Sequence, residues 1–291
     1  MQAVLILAHK NVDQVISLSN LLKKRFLVLV HFDTRLSLTD QDKEKLQKND
    51  IDYISEVEVH WGSWSIAQAA ISLMKKALEN SKVKYLHVIS GQDWPVADLS
   101  KVYNFYENND KIYMEYNRSK DVKKSGESVI LWQKYYFNYD RINRRSGFGK
   151  FYHRFLLAAQ TILRINKFKK YNIELEIYNG PNWVDMPRDA VEYCLGYLEA
   201  HPELLKVFQT GCFSDEFWMQ TILVNSPKYK ERIVKDNHRY INWKKQNGSY
   251  PAVLDERNFE SITKSGCHFG RKFDWKYSEK LIDRLNEKYA E

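Results

Sequence analysis

Two acidic side chains stand together in "GCFSDEFWMQTILVNSP" (residues 211–227). They are Asp215 and Glu216, directly ahead of Phe217, Trp218 and an apolar run with helical spacing. Two chemistries fit. Ser214 or Asp215 could cap the helix, accepting hydrogen bonds from its first backbone N–H groups and complementing its dipole. One cap suffices, which leaves Glu216 less explained. A carboxylate beside large aromatics is a candidate general base, with burial raising its pKa and the helix N-terminus lowering it. A second charged point is Arg271–Lys272 in "HFGRKFD", where Gly270 permits close backbone approach. That pair fits a diphosphate clamp, and equally an exposed basic dipeptide. "WGSWS" (61–65) sets Ser63 and Trp64 ahead of a helix. They read either as a capped loop with core rings or as the wall of a nucleotide or sugar site. In "SGQDWP" (90–95), Asp93 follows a buried strand, where it could cap a turn or take a sugar hydroxyl.

Metal ligation is weakly signalled. The eight His form no HxH or HxxxH pair, and the Asp-x-Asp pairs Asp40/Asp42 and Asp50/Asp52 lie in polar stretches. The three Cys are far apart, with neither metal spacing nor a disulfide framework, so a reducing compartment is the simple reading. No P-loop, GxGxxG or GxSxG pattern is present.

The elements that must hold these residues read as an α/β fold. With 44% apolar residues in 291, a large core is available and wholesale disorder is excluded. "AVLIL", "FLVLVHFD" and "YLHVIS" read as buried parallel strands, and "IDYISEVEV" as a third strand in order along the chain. Helical patterns at 12–24, 38–48 and 65–80 alternate with them, so the sheet is mostly parallel with helices on both faces. Ligands of such sheets bind beyond the carboxyl ends of the strands, where His31, Asp33, "WGSWS" and "SGQDWP" fall. Residues 117–172 are basic and include an amphipathic helix with Phe155, Leu156, Ala159, Ile162 and Leu163 on its apolar face. That helix reads either as core-packing with a solvated basic face or as lying on an anionic membrane. The net charge of +8 calls for an anionic partner. Nucleic acid is disfavoured, because the basic residues concentrate in one segment and no RNP, KH or helix-turn-helix signature appears.

The order of "AVLILAHKN", "VLVHFDTR", "WGSWSIAQAAISLMKKAL", "HVISGQDWPV", "YNGPNWVDMPRDAVEYCL", "FSDEFWMQTILVNSP", "RYINW" and "SGCHFGRKFD" resembles the core-2/I-branching β-1,6-N-acetylglucosaminyltransferase family. That family also contains peptide O-xylosyltransferases, and the matching pieces cover roughly residues 3–274. The resemblance implies a single large GT-A-like domain over 1–291. Within it, 1–116 would form the nucleotide-sugar half, 117–172 a variable basic segment and 173–291 the catalytic and acceptor half. It implies an inverting transferase that needs no divalent metal and no cofactor, with a UDP-sugar donor, most often UDP-N-acetylglucosamine, and UDP-xylose as the alternative. Glu216 falls on the family's catalytic base. Lys272 matches the "KFD" lysine, and Arg271 the "RKF" form. His31 and Asp33 match the donor-side "HVD", Asp93 the "G-x-D-[FWY]-P" acid, and Ser63 and Trp64 the "GSWS" segment. The additional Arg of the vertebrate branching enzymes has no counterpart at "NGSYPAV". Trp183 and Trp243 are candidate sugar platforms, and Arg141 and Arg144 candidate acceptor contacts. The expected acceptor is a glycan or lipid-linked oligosaccharide of a surface polysaccharide. The expected location is the cytoplasm, with peripheral contact to the inner face of the membrane. A non-catalytic carbohydrate-binding or nucleic-acid-binding protein is the reading from another class.

Overall fold

The computed structural model describes residues 1–289. The first part alternates as read: β1 (Gln2–Ala8), α1 (Val12–Leu22), β2 (Leu27–Phe32), α2 (Asp40–Lys48), β3 (Tyr53–Ile54), α3 (Ser65–Glu79) and β4 (Tyr85–Ser90). The short β5 (Asp93–Pro95) and α4 (Leu99–Glu107) follow. The middle holds β6 (Ile112–Tyr113), β7 (Asn117–Arg118), a hairpin of β8 (Lys123–Lys124) and β9 (Glu127–Ser128), and helices α5 (Leu131–Lys134), α6 (Gly147–Ile162) and α7 (Lys167–Lys170). Next come β10 (Tyr178–Asn179), β11 (Asp185–Pro187), α8 (Arg188–Ala200), α9 (Pro202–Gln209), α10 (Trp218–Val224) and α11 (Pro227–Lys230). The chain closes with β12 (Ile233–Val234), β13 (Arg239–Ile241), α12 (Phe259–Thr263), β14 (Phe269–Arg271) and α13 (Trp275–Tyr289).

One seven-stranded sheet runs β12-β6-β11-β4-β1-β2-β3. All its pairings are parallel except those of β11, which lies antiparallel to β4 and β6. β1 shows why the central strands are apolar throughout: Ala3 and Leu5 enter one core, Val4 and Ile6 the other. With both faces covered, neither set of alternating side chains can be polar. The expected third strand is shorter than its alternation suggested. Beyond Ile54 the backbone leaves the sheet, and Val57 and Val59 donate their N–H groups to His31 Nε2 (3.2 Å) and Asp33 Oδ1 (3.1 Å).

A second, three-stranded sheet, β13-β14-β5, sets the C-terminal cations against the central sheet. Its antiparallel β5–β14 register brings Arg271 opposite Asp93. A buried polar cluster fixes its placement. Asp185 on β11 accepts two hydrogen bonds from Arg239 on β13, at 2.6 and 2.8 Å, one from Tyr106 at 2.9 Å, and contacts His87 Nδ1 at 3.0 Å. Burial alone would raise the Asp185 pKa, but the charge and hydrogen bonds of Arg239 hold it well below the usual carboxylate range.

Candidate active site

The acidic pair sits on a single 3-10 turn, Ser214–Glu216, ahead of α10. Neither Ser214 nor Asp215 caps a helix, so that expectation is corrected. Ser214 Oγ reaches Phe208 O at 2.6 Å and Gln133 Oε1 at 3.1 Å, while Gln133 Nε2 donates to Cys212 O at 2.8 Å. Gly211 makes this packing possible, since a Cβ there would lie 2.2 Å from Gln133 Oε1. Phe213 adopts a left-handed backbone conformation (φ 54°), unusual for an aromatic residue. It is held by its N–H to Gly62 O (2.8 Å) and by ring contacts with Trp61 and Trp132. The following turn is therefore set by its surroundings rather than by local preference.

Asp215 and Glu216 then part company. Asp215 is buried and accepts from Asn182 Nδ2 at 3.0 Å. Burial first, and the Glu216 charge second, push its pKa up to about 8. Glu216 keeps its side chain 28% exposed, and its Oε2 accepts from Lys124 Nζ at 2.8 Å. The two acids are thus a proton-holding buried carboxyl and an accessible carboxylate. Folded Asp215 retains its proton up to about 8, whereas the unfolded side chain releases it near 3.8. Its contribution to stability is full below that window and is lost as pH rises through it. Asp215→Asn is expected to flatten this slope and to unfold at higher temperature than the parent at pH 9, by about 1–3 kcal/mol of stability. Thermal melts of both proteins across pH check it, and parallel slopes would contradict it.

The cations approach the acids through one short turn. Gly180 donates its N–H to Glu216 O at 2.8 Å, and a Cβ on it would fall 1.9 Å from Glu115 O. Two residues on, Asn182 holds Asp215, and Trp183 carries the Arg271 guanidinium 4.0 Å from its ring centroid. Arg271 feels the Glu216 charge; burial lowers its pKa, while Asp93 and Glu216 oppose that. Its nearest carboxylate contact, Nε to Asp93 Oδ1, is 3.5 Å, and its buried Nε–H has no hydrogen-bond partner among the described residues. Arg239, more deeply buried, also leaves its Nε without a partner among the described residues, but its two terminal nitrogens are bound bidentate by Asp185. Arg271 is therefore a mostly buried guanidinium with donor capacity to spare, a condition that strengthens binding of an entering anion. Lys272 is partly buried beside Arg271, Arg145 and Lys10; burial and those charges lower its pKa. Arg145 lies over the exposed ring of Trp61, 4.5 Å from its centroid. Among the described residues no three His, Cys, Asp or Glu side chains gather as a metal site would require.

A family model described as Core-2/I-Branching enzyme matches residues 5–263. The chain belongs to that family. Xylosyltransferase sqv-6 of Caenorhabditis briggsae is 24% identical over 67% of this chain and 22% of its own length. Beta-glucuronosyltransferase GlcAT14A of Arabidopsis thaliana is 20% identical over 38% of this chain and 25% of its own. The chain thus spans about a quarter of the length of these relatives. Among solved structures, the apo WbbM bifunctional glycosyltransferase has a TM-score of 0.42 at 11% identity, covering 99% of this chain and 50% of that one.

Against the branching-enzyme expectations, the structure brings Glu216, Arg271, Lys272 and Asp93 to one region and sends others elsewhere. Asp93 is buried, accepting from Ser90 N (2.7 Å) and Ser90 Oγ (3.0 Å), and faces Arg271 rather than open solvent. His31 is buried with its ring spent on Val57, and so supports the loop at the strand end. Asp33 is buried and engaged by Arg35, at 2.7 Å, and by Val59. Burial would raise its pKa, and these hydrogen bonds bring it below the ordinary value. Ser63 and Trp64, expected in a donor wall, are both buried. Ser63 Oγ bonds Ser65, and Trp64 stacks on Phe208 inside the core, so Trp61 is the exposed ring of "WGSWS". Trp183 is covered by Arg271 and supports that cation rather than offering this face to a sugar. Trp243 is exposed beside Tyr250. Arg141 is exposed, whereas Arg144 turns its Nε into a buried position without a partner. Two functional candidates escaped the sequence reading: Lys124, on the β8–β9 hairpin, and Arg145.

Proposed function

We propose that this member of the Core-2/I-Branching family is an inverting, metal-independent glycosyltransferase. It moves N-acetylglucosamine from UDP-N-acetylglucosamine to a glycan hydroxyl of a surface polysaccharide or glycoconjugate. The observation that carries the reading is the pairing, across the Asn182–Trp183 segment, of an accessible carboxylate with a mostly buried guanidinium whose Nε has no hydrogen-bond partner among the described residues. In the reaction, the Glu216 carboxylate takes the proton of the acceptor hydroxyl as its oxygen bonds to the sugar C1. The bond from C1 to the diphosphate oxygen breaks on the opposite face, and its electron pair leaves with UDP. The charge gathering on UDP meets Arg271 and Lys272, with Arg145 and Lys10 nearby, in a partly buried setting that strengthens fixed cations. Lys124 must give up or share Glu216 when the hydroxyl enters.

Transfer of xylose is the second reading, favoured by the name of the relative that covers 67% of this chain. UDP release from UDP-N-acetylglucosamine, UDP-xylose, UDP-glucose and UDP-galactose, measured with oligosaccharide acceptors and EDTA, tests the proposal. Turnover is expected with UDP-N-acetylglucosamine and should survive EDTA. Activity appearing only when Mn²⁺ is added would overturn the metal-independent mechanism.

A further inference from the structure

Of the apolar face read from sequence, Leu156 packs against the core, whereas Phe155, Ile162 and Leu163 are exposed. In α6 and the residue after it, Phe148, Phe151, Phe155, Ile162 and Leu163 are 65, 67, 58, 80 and 69% exposed. The opposite face, with Gly149, His153 and Gln160, is the one packed against the protein. Core packing therefore does not explain these rings. Residues 141–173 contain nine Lys or Arg and no Asp or Glu. Lys150, Arg154 and Arg164 are exposed beside the apolar stripe. An exposed apolar strip of this length, bordered by cations of one sign, is a feature soluble surfaces avoid unless something covers it.

We propose that α6 docks this protein on a bilayer bearing anionic headgroups, with the phenylalanines at the level of the acyl boundary and the cations among the phosphates. Charge decides the occupant. A second copy apposed through the same face would bring two acid-free basic segments together, which repel. Nucleic acid would match the cations but not the aliphatic Ile162 and Leu163. Ser146, whose Oγ accepts from Gly149 N at 2.9 Å, caps the helix one residue after Arg145. The mouth of the candidate site, where Arg145 lies over Trp61, therefore stands at the end of the docked helix.

The test is cosedimentation of the whole protein with vesicles of phosphatidylcholine alone and with added phosphatidylglycerol. Binding is expected to the anionic vesicles and to weaken with salt. Phe148→Ser, Phe151→Ser and Phe155→Ser should each reduce the partition about tenfold, the effect of leaving one ring in water. The double variant Lys150→Glu/Arg154→Glu should remove the preference for phosphatidylglycerol. All these positions are exposed, and circular dichroism verifies that the variants fold. Equal partition of wild type and both variant classes would overturn the proposal. So would light scattering that showed a dimer dissolved by the serine variants, or binding to RNA in place of vesicles.

Discussion

Glu216→Gln is expected to abolish sugar transfer, lowering kcat by about a thousandfold or more, with UDP binding as before. Glutamine has nearly the same shape, and its amide oxygen can still accept from Lys124 at the 2.8 Å contact. The backbone bond from Gly180 to residue 216 does not involve the side chain. What the amide cannot do is carry away the hydroxyl proton. The loss should therefore fall on kcat with little change in the donor KM. Steady-state kinetics together with UDP titration separate the two quantities. A rate near that of the parent would remove Glu216 from the mechanism.

Arg271→Met produces the complementary failure. UDP affinity is expected to drop at least tenfold and transfer to fall by about 10²–10³, because the leaving diphosphate would lose the cation proposed to neutralise it. Asp93 keeps its bonds from Ser90 N and Oγ, so the substitution does not orphan a buried carboxylate. Methionine retains apolar contact with the Trp183 ring. Arg271→Lys should recover only a small part of the loss, since a lysine lacks the planar fork that stacks on Trp183 and grips two oxygens. The same titrations and kinetics report both variants. Unchanged UDP affinity in Arg271→Met would contradict the assignment.

The central strands and the helices beside them were legible because their side chains obey one rule, burial on both faces, over six or more residues. Glu216 stood out in the sequence as an acid left over once a cap was assigned, although the cap itself does not exist. What sequence could not supply was the partner across a long separation. Lys124 meets Glu216 across 92 residues, and a lysine in the polar run "DVKKSG" carries no mark of it. In "WGSWS", the left-handed Gly62 (φ 87°) separates an exposed Trp61 from a buried Trp64, an orientation that alternation alone does not give. Arg141, Arg144 and Arg145, three cations within five residues of irregular backbone, face three different surroundings, which spacing alone does not give. The Asp185–Arg239 pair had a partial signal, an acid flanked by Val184 and Met186 in an apolar stretch. Nothing in the spacing pointed from it to Arg239.

The arrangement of proton acceptor and fixed cations is tested most directly by a crystal structure of the Glu216→Gln protein with its intact UDP-sugar. The prediction is that diphosphate oxygens lie within hydrogen-bond distance of the Arg271 guanidinium and the Lys272 ammonium, with no ion bridging them. The side-chain amide of residue 216 should face the sugar C1 from the side opposite the diphosphate. A diphosphate bound away from both cations, or a residue 216 on the same side of C1 as the leaving group, would contradict the account.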